Sequence, residues 1–219
     1  MKEFDNSEDL YFHKRFLPHI QPRGAILFVN YRLAFSLPKA IIEELKSGKE
    51  EFEKKISKLS DKLKMLNRYN FYKKQFDILD DFLNKYQKGP HWLSIDKIAD
   101  IVQDSLFWGD EKEYELICFC IMPNHVHTLI KPLLNSNNKS YPLSEIMRKH
   151  KSFTANQSNE MLCRTGSFWA KGYYDYYIRS RNGLHRIIFY ILNNPVKAGL
   201  VKNYKDWKHL WVKDKYLNM

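Results

Sequence analysis

The sequence has few cysteines and no long run of apolar residues. Its 219 residues contain three cysteines, Cys118, Cys120 and Cys163, with no C-x-x-C spacing. This number and spacing argue against a disulfide framework and against a cysteine zinc site. No apolar run approaches the roughly 20 residues that a membrane-spanning helix needs. Because the first residues are too polar and acidic for a signal peptide, we expect a cytoplasmic protein with no membrane partner.

Acidic residues are scarce in the second half of the chain. The formal net charge is +11, from 36 Lys and Arg side chains against 25 Asp and Glu side chains. Residues 111–219 hold 17 basic and 8 acidic side chains and therefore contribute +9 of this charge. A basic surface of this kind indicates a polyanionic partner, with nucleic acid as the first candidate and acidic lipid as the second.

Two histidines lie two residues apart within a predicted β-strand. Residues 122–127 read Met-Pro-Asn-His-Val-His, and the flanking residues 116–121 and 128–130 are rich in β-branched and aromatic side chains. Side chains at i and i+2 of a strand point to the same face, so His125 and His127 can bind one divalent cation. The same spacing also fits two histidines that are packed or exposed without a metal.

The first half of the chain is predicted to contain one strand and then helices. Residues 25–33 have the composition of a strand. From about residue 39 to about residue 108 the pattern is helical, and Gly89-Pro90 interrupts it, so we interpret this region as a helical insertion or scaffold. Apolar residues at steps of four and three predict one long amphipathic helix along Phe52, Ile56, Leu59, Leu63 and Leu66.

Basic and aromatic side chains are interleaved after the histidine pair. A helix is predicted to begin near Ser144 and carries a basic stretch, and in residues 168–179 aromatic side chains are interleaved with Lys and Arg. Single-stranded nucleic acid is bound by this composition, because rings stack on bases and cations follow the phosphates. The edge of an aromatic-rich core has the same composition. The candidate DNA-binding residues are Arg148, Lys149, Lys151, Trp169, Lys171, Tyr174, Arg179 and Arg186.

The last predicted helix displays a tyrosine and an amide together. It is expected to begin at Asn182 as N-cap and to end at Asn194, before Pro195. Its buried stripe is Leu184, Ile187, Ile188, Ile191 and Leu192. Tyr190 and Asn194 lie one turn apart at the margin of this packed face. They are read either as functional groups or as a boundary tyrosine and a helix-ending asparagine.

Taken in this order, the motifs resemble the single-tyrosine HUH transposases, in particular the REP-associated tyrosine transposases and the IS200-like group. The resemblance rests on residues 28–38, 122–127, 168–179 and 190–201. It implies an α+β fold in which helices flank a central antiparallel β-sheet of the ferredoxin-like or RRM-like HUH type. It also implies a single IS200-like transposase domain over residues 1–219, with the helical insertion at about residues 39–108.

The resemblance further implies a chemistry for three motif positions. His125 and His127 would hold Mg²⁺ or Mn²⁺, Asn194 would supply a third ligand, and Tyr190 would be the nucleophile that forms a 5′-phosphotyrosine intermediate. The implied function is a metal-dependent endonuclease and strand transferase, a transposase or a domesticated relative, that acts on single-stranded or hairpin DNA as a monomer or homodimer. The alternatives are a non-catalytic hairpin-binding module and a metal-dependent phosphodiesterase that uses water.

Overall fold

The structure, a computed structural model, describes residues 11–15, 17–86 and 88–217. The chain divides into two compact units: a sheet unit bounded by residues 1–34 and 90–219, and a helical unit of residues 35–89. Among the described residues, no helix is both long and apolar enough to cross a membrane. The three cysteines are unpaired, and two of them are buried.

The described part of the sheet unit contains a small two-stranded sheet and a larger five-stranded sheet, both antiparallel. The strands are β1 (Tyr11–Arg15), β2 (Leu17–Gln21), β3 (Leu27–Arg32), β4 (Tyr114–Ile121), β5 (His125–Pro132), β6 (Tyr174–Tyr177) and β7 (Leu210–Val212). The larger sheet has the order β6-β3-β5-β4-β7, so β5 is its middle strand.

Helices cover both faces of the larger sheet, which confirms the predicted α+β fold. The helices are α1 (Lys39–Ile56) and α2 (Asp61–Lys85) in the helical unit, and α3 (Asp96–Gly109), α4 (Leu143–Met161) and α5 (Arg181–Lys197) in the sheet unit. On one face, the Tyr31 hydroxyl of β3 lies 2.7 Å from His150 Nε2 of α4. On the other face, the ring of Phe28 lies 6.2 Å from that of Tyr190 on α5.

The two central strands are apolar because both of their faces are covered. Residues 116–121 are all buried, and a continuous apolar run is typical of a strand with helices on both sides. The pairing of β4 with β5 shifts register between Leu116 and Cys118. After this shift Cys120 lies opposite His127, so that the small thiol side chain shares a face with the histidines.

The helical unit consists of two antiparallel helices joined by a short connection. The rings of Phe52 and Phe71 stack with centroids 4.2 Å apart. The prediction of one continuous helix was wrong, because α1 ends at Ile56 and α2 begins at Asp61. Ser57 Oγ donates to the carbonyl of Lys54 at 2.8 Å, and such local bonds compete with helix continuation. The predicted apolar seam therefore breaks: Leu59 lies in the connection, Leu63 is exposed, and the side chain of Leu66 lies outside the described residues.

Helix α5 extends beyond both predicted ends. Its N-cap is Ser180 rather than Asn182, and Ser180 Oγ accepts from the backbone N–H of Gly183 at 3.1 Å. The helix continues through Pro195 to Lys197. Proline removes only one hydrogen bond at this position, and the Asn194 carbonyl still accepts from Ala198 at 2.9 Å. The helix then ends where Gly199 adopts a φ of +70°.

Candidate metal and nucleophile site

The two motif histidines converge on the face of β5 that α5 covers. Both are buried, with exposed fractions of 1% for His125 and 0% for His127. Their Nε2 atoms lie 2.9 Å apart. Both rings therefore point to the same face of the strand, as their i, i+2 spacing predicts.

Each histidine has an asparagine at its other ring nitrogen. Asn124 Oδ1 lies 2.6 Å from His125 Nδ1, and Asn30 Nδ2 lies 3.0 Å from His127 Nδ1. Asn30 is directly opposite His127 in the register of β3 and β5. Sequence reasoning did not single out either asparagine. Asn124 could have been found from its place beside the histidine, whereas Asn30 is revealed only by the strand register.

His127 is held as a neutral imidazole. Burial, and to a smaller extent the positive charge of Lys197, lower the pKa of His127 to about 3. At neutral pH the ring is therefore uncharged, and only one of its two nitrogens carries a hydrogen. A neutral ring is the form that binds metal ions.

Tyr190 lies edge-on against His127. The ring centroids are 5.5 Å apart and the planes meet at 86°. Phe28 of β3 stacks on His127 at 5.8 Å and therefore contacts both rings. Leu184, Ile188 and Ile191 are buried along α5 and fix the helix against the sheet, which places the phenol beside the histidine pair.

Asn194, one turn after Tyr190, is buried more deeply than the sequence predicts. Its exposed fraction is 0%. Within the described part of the chain, neither its Oδ1 nor its Nδ2 has a hydrogen-bond partner. A buried amide without a partner costs about 1–3 kcal/mol. Groups of this kind are commonly satisfied by a ligand, an ion or a water.

The histidine pair fits a divalent cation. Neighbouring ligands of an octahedral ion, at bond lengths of about 2.1 Å, lie about 3.0 Å apart. The separation of 2.9 Å between the Nε2 atoms of His125 and His127 matches that spacing. The two imidazoles are donors of the kind that bind divalent transition ions.

Lys197 places a positive charge next to the phenol. Its Nζ lies 5.9 Å from the centroid of the Tyr190 ring, and its side chain is exposed in the last turn of α5. It also acts on His127 through its charge. Sequence reasoning missed this residue, although it lies two helical turns after Tyr190 and so on the same side of α5.

The predicted DNA-binding residues divide into an exposed group and a packed group. Arg148, Lys171 and Arg186 have exposed side chains. Arg179 is also exposed, and its guanidinium lies 4.9 Å from the centroid of the Tyr177 ring. Lys149 is exposed but forms an ion pair with Glu113.

The packed group has partners within the sheet unit. Trp169 is 6% exposed, and its indole N–H donates to Thr154 Oγ1 at 2.9 Å. Lys151 donates to the carbonyls of Ala170 and Gly172 at 2.8 and 2.6 Å. Tyr174 is half-buried, with its ring 6.3 Å from that of Phe28.

Comparison with known proteins agrees with this fold. Residues 96–194, which include the histidine pair, Tyr190 and Asn194, match the family described as transposase IS200-like. A protein of Haemophilus influenzae named as a REP-associated tyrosine transposase is 27% identical over 101 residues. That match covers 44% of this chain and 57% of the relative, so it spans little more than half of the relative's length.

A solved structure of the REP-associated tyrosine transposase bound to a REP hairpin has the same fold. The superposition has a TM-score of 0.50, covers 94% of this chain and 81% of the other, and has 14% sequence identity. At this identity the likeness concerns the fold alone. The family match over residues 96–194, the curated relative and the shared fold together confirm the predicted resemblance of this chain to the IS200-like and REP-associated tyrosine transposases.

Proposed function

We propose that this protein is a metal-dependent endonuclease and strand transferase for single-stranded DNA with hairpins. The observation that carries the proposal is the contact between the rings of Tyr190 and His127 at 5.5 Å. It brings together a side chain that can act as a nucleophile and a side chain that can bind a metal ion, from two separate elements of the fold. The similarity to IS200-like transposases and to a protein named as a REP-associated tyrosine transposase supports the same reading.

Tyr190 is the proposed nucleophile. Its phenol oxygen attacks the scissile phosphorus and forms a P–O bond, while the bond from phosphorus to the 3′ oxygen of the preceding nucleotide breaks. The phenol loses its proton and the departing 3′ oxygen gains one, so the products are a 5′-phosphotyrosyl protein and a free 3′-hydroxyl. A 3′-hydroxyl that attacks this link joins the strands and restores Tyr190, without a nucleotide cofactor.

His125, His127 and Asn194 are the proposed ligands of the ion. A divalent ion, when bound, would polarise the scissile phosphate. Two imidazoles favour a transition ion, so we propose Mn²⁺ ahead of Mg²⁺. Lys197, at 5.9 Å from the Tyr190 ring, stabilises the negative charge that develops around the phenol oxygen.

The exposed basic residues are the proposed contacts to DNA. Arg148, Lys171, Arg179 and Arg186 have exposed side chains and lie in the basic half of the chain. The solved relative with this fold is bound to a REP hairpin, and we propose hairpin DNA for this protein too. We further propose that the helical unit, residues 35–89, is an insertion into one transposase domain.

A labelled hairpin oligonucleotide with a single-stranded tail tests this function. The hairpin is copied from inverted repeats in the DNA that flanks the gene. With Mn²⁺, the wild-type protein should cleave it and form an adduct that survives denaturing electrophoresis. Tyr190→Phe should form neither the adduct nor the cleaved strand, and Tyr204→Phe, a tyrosine outside the site, should behave as wild type.

The other functions give different results in the same assay. A phosphodiesterase that uses water would cleave the hairpin without an adduct and would tolerate Tyr190→Phe. A non-catalytic binding module would bind the hairpin and cleave nothing. Either result would overturn the proposal.

A further inference from the structure

The hydrogen bonds around the histidine pair run in one direction. His127 Nδ1 lies 3.0 Å from the amide nitrogen of Asn30, which can only donate. His127 Nδ1 is therefore an acceptor, and the ring hydrogen is on Nε2. That N–H points to His125 Nε2 at 2.9 Å. His125 Nε2 accepts it, because its ring hydrogen is on Nδ1 and donates to Asn124 Oδ1 at 2.6 Å.

This chain of bonds makes the two histidines unequal as ligands. Asn124 holds His125 with the lone pair on Nε2, the atom that faces the other ring, so His125 is ready to bind a cation. His127 carries its hydrogen on Nε2 and has its lone pair on Nδ1, occupied by Asn30. A cation that is shared by the two Nε2 atoms requires the His127 hydrogen to move to Nδ1.

Asn30 can accommodate that move without a change of backbone. A half-turn of its side-chain amide replaces the nitrogen with the oxygen Oδ1, which accepts from an Nδ1–H. Asn30 is opposite His127 in the strand register and is 4% exposed, so the sheet keeps its side chain beside this ring. Groups that contact a ligating histidine at its second nitrogen set the tautomer of that histidine.

We propose that Asn30 is a positioning residue that switches His127 between two tautomers, one for the metal-free site and one for the metal-bound site. This inference rests on the proposed metal site. In the metal-free protein the Asn30 nitrogen donates to His127, and in the metal-bound protein the Asn30 oxygen accepts from it. Asn124 keeps one orientation in both states.

Nitrogen NMR of the histidine rings shows directly which ring nitrogen carries the hydrogen in the metal-free and the metal-bound protein. In the full-length protein without metal at pH 8, His127 should carry its hydrogen on Nε2 and His125 on Nδ1. Addition of Mg²⁺, which is diamagnetic, should move the His127 hydrogen to Nδ1 and leave His125 unchanged. A metal-free His127 with its hydrogen on Nδ1 overturns the inference, and so does a metal-bound His127 that keeps it on Nε2.

Two matched substitutions separate the tautomer from charge alone. Asn30→Asp offers only acceptor oxygens and should fix the His127 hydrogen on Nδ1 without metal. Asn124→Asp adds the same charge beside His125, whose partner atom is already an acceptor. Mn²⁺ affinity, measured by electron paramagnetic resonance, should therefore rise about tenfold more in Asn30→Asp than in Asn124→Asp.

The outcomes distinguish this inference from the proposed function. Equal gains in the two variants overturn the role of Asn30. A wild-type protein that binds no Mn²⁺ contradicts the proposed metal site. In that case the ring tautomers of the metal-free wild type still test the part of the proposal that concerns the metal-free protein. They test it even if neither variant folds.

Discussion

His127 and Tyr190 meet edge to face, with ring planes at 86° and centroids 5.5 Å apart. They come from β5 and α5, which are separated in sequence by 48 residues and by two other elements. The contact places a candidate nucleophile beside a candidate metal ligand. Because the two residues come from different elements, the candidate nucleophile and the candidate ligand can be substituted one at a time.

Removal of one ligand should abolish stabilisation by metal. We expect the free energy of unfolding of the wild type to rise by about 2.7 kcal/mol when Mn²⁺ is present at 100 times its dissociation constant. His127→Ala should show no such rise. The variant should also be less stable without metal by at least about 1–3 kcal/mol, because the buried Asn30 amide loses its partner. Urea denaturation with and without Mn²⁺ measures both effects.

His209 provides the matched control for that experiment. It is also a buried histidine, but its Nε2 lies 3.3 Å from the Asp96 carboxylate. His209→Ala should lose stability and keep the full response to Mn²⁺. A response to Mn²⁺ that persists in His127→Ala would refute the assignment of His127.

Stability should fall as the pH falls below about 6.5, in part because of His150. Burial, with a smaller contribution from the charge of Lys151, lowers the pKa of His150 to about 3. The unfolded state therefore binds a proton that the folded state does not bind between about pH 6.5 and pH 3, and stability is present above this window and lost within it. The loss is about 1.4 kcal/mol per pH unit for each such histidine. His127 contributes in the same direction, since its pKa is also lowered.

A comparison of slopes isolates the contribution of His150. In EDTA, His150→Gln should have a slope of stability against pH that is shallower than the wild-type slope by one proton. Urea denaturation at pH 7.5, 6 and 5 gives this slope. Equal slopes in the two proteins would mean that the pKa of His150 is not lowered in the folded state.

Lys197 should matter for the reaction more than for DNA binding. Two unit charges about 6 Å apart interact by about 1–3 kcal/mol at the dielectric constants of a protein surface. Lys197→Met should therefore slow adduct formation about tenfold or more under single-turnover conditions, with a much smaller change in hairpin affinity. Lys202→Met, an exposed lysine beyond α5, is the control and should leave the rate unchanged. A loss confined to affinity would contradict this role of Lys197.

Hairpin binding should depend steeply on salt. Each phosphate contact to a single strand contributes about 0.7 to the slope of log affinity against log salt. Arg186→Ala and Lys171→Ala should each reduce the slope by about that amount. Lys149→Ala should change it less, because the ammonium of Lys149 is already paired with Glu113. Fluorescence anisotropy between 50 and 300 mM salt measures the slopes, and unchanged slopes would remove these residues from the interface.

Local patterns predicted the elements that hold the site. The alternation of a strand placed His125 and His127 on one face, and the helical stripe through Leu184 and Ile191 oriented α5. These are short-range regularities, and the structure agrees with them. The ends of α5 were less predictable, because the cap at Ser180 and the turn after Pro195 depend on single hydrogen bonds.

Contacts between distant residues could not be derived from the sequence. Asn30 lies opposite His127 because β3 pairs with β5 in one register, and the two residues are 97 positions apart. The complete burial of Asn194 likewise depends on how α5 packs on the sheet. The packing of Trp169 against Thr154 could not be derived from composition either. An aromatic-rich segment has the same composition whether its rings stack on bases or pack in the core.

The position of the covalent link tests the central claim most directly. Wild-type protein is reacted with the hairpin oligonucleotide and Mn²⁺, the adduct is digested with protease and nuclease, and the modified peptide is sequenced by mass spectrometry. The account predicts one phosphotyrosyl link, at Tyr190, and none in the Tyr190→Phe protein. A link at any other tyrosine, Tyr174, Tyr176 and Tyr177 included, or cleavage without a link would contradict it.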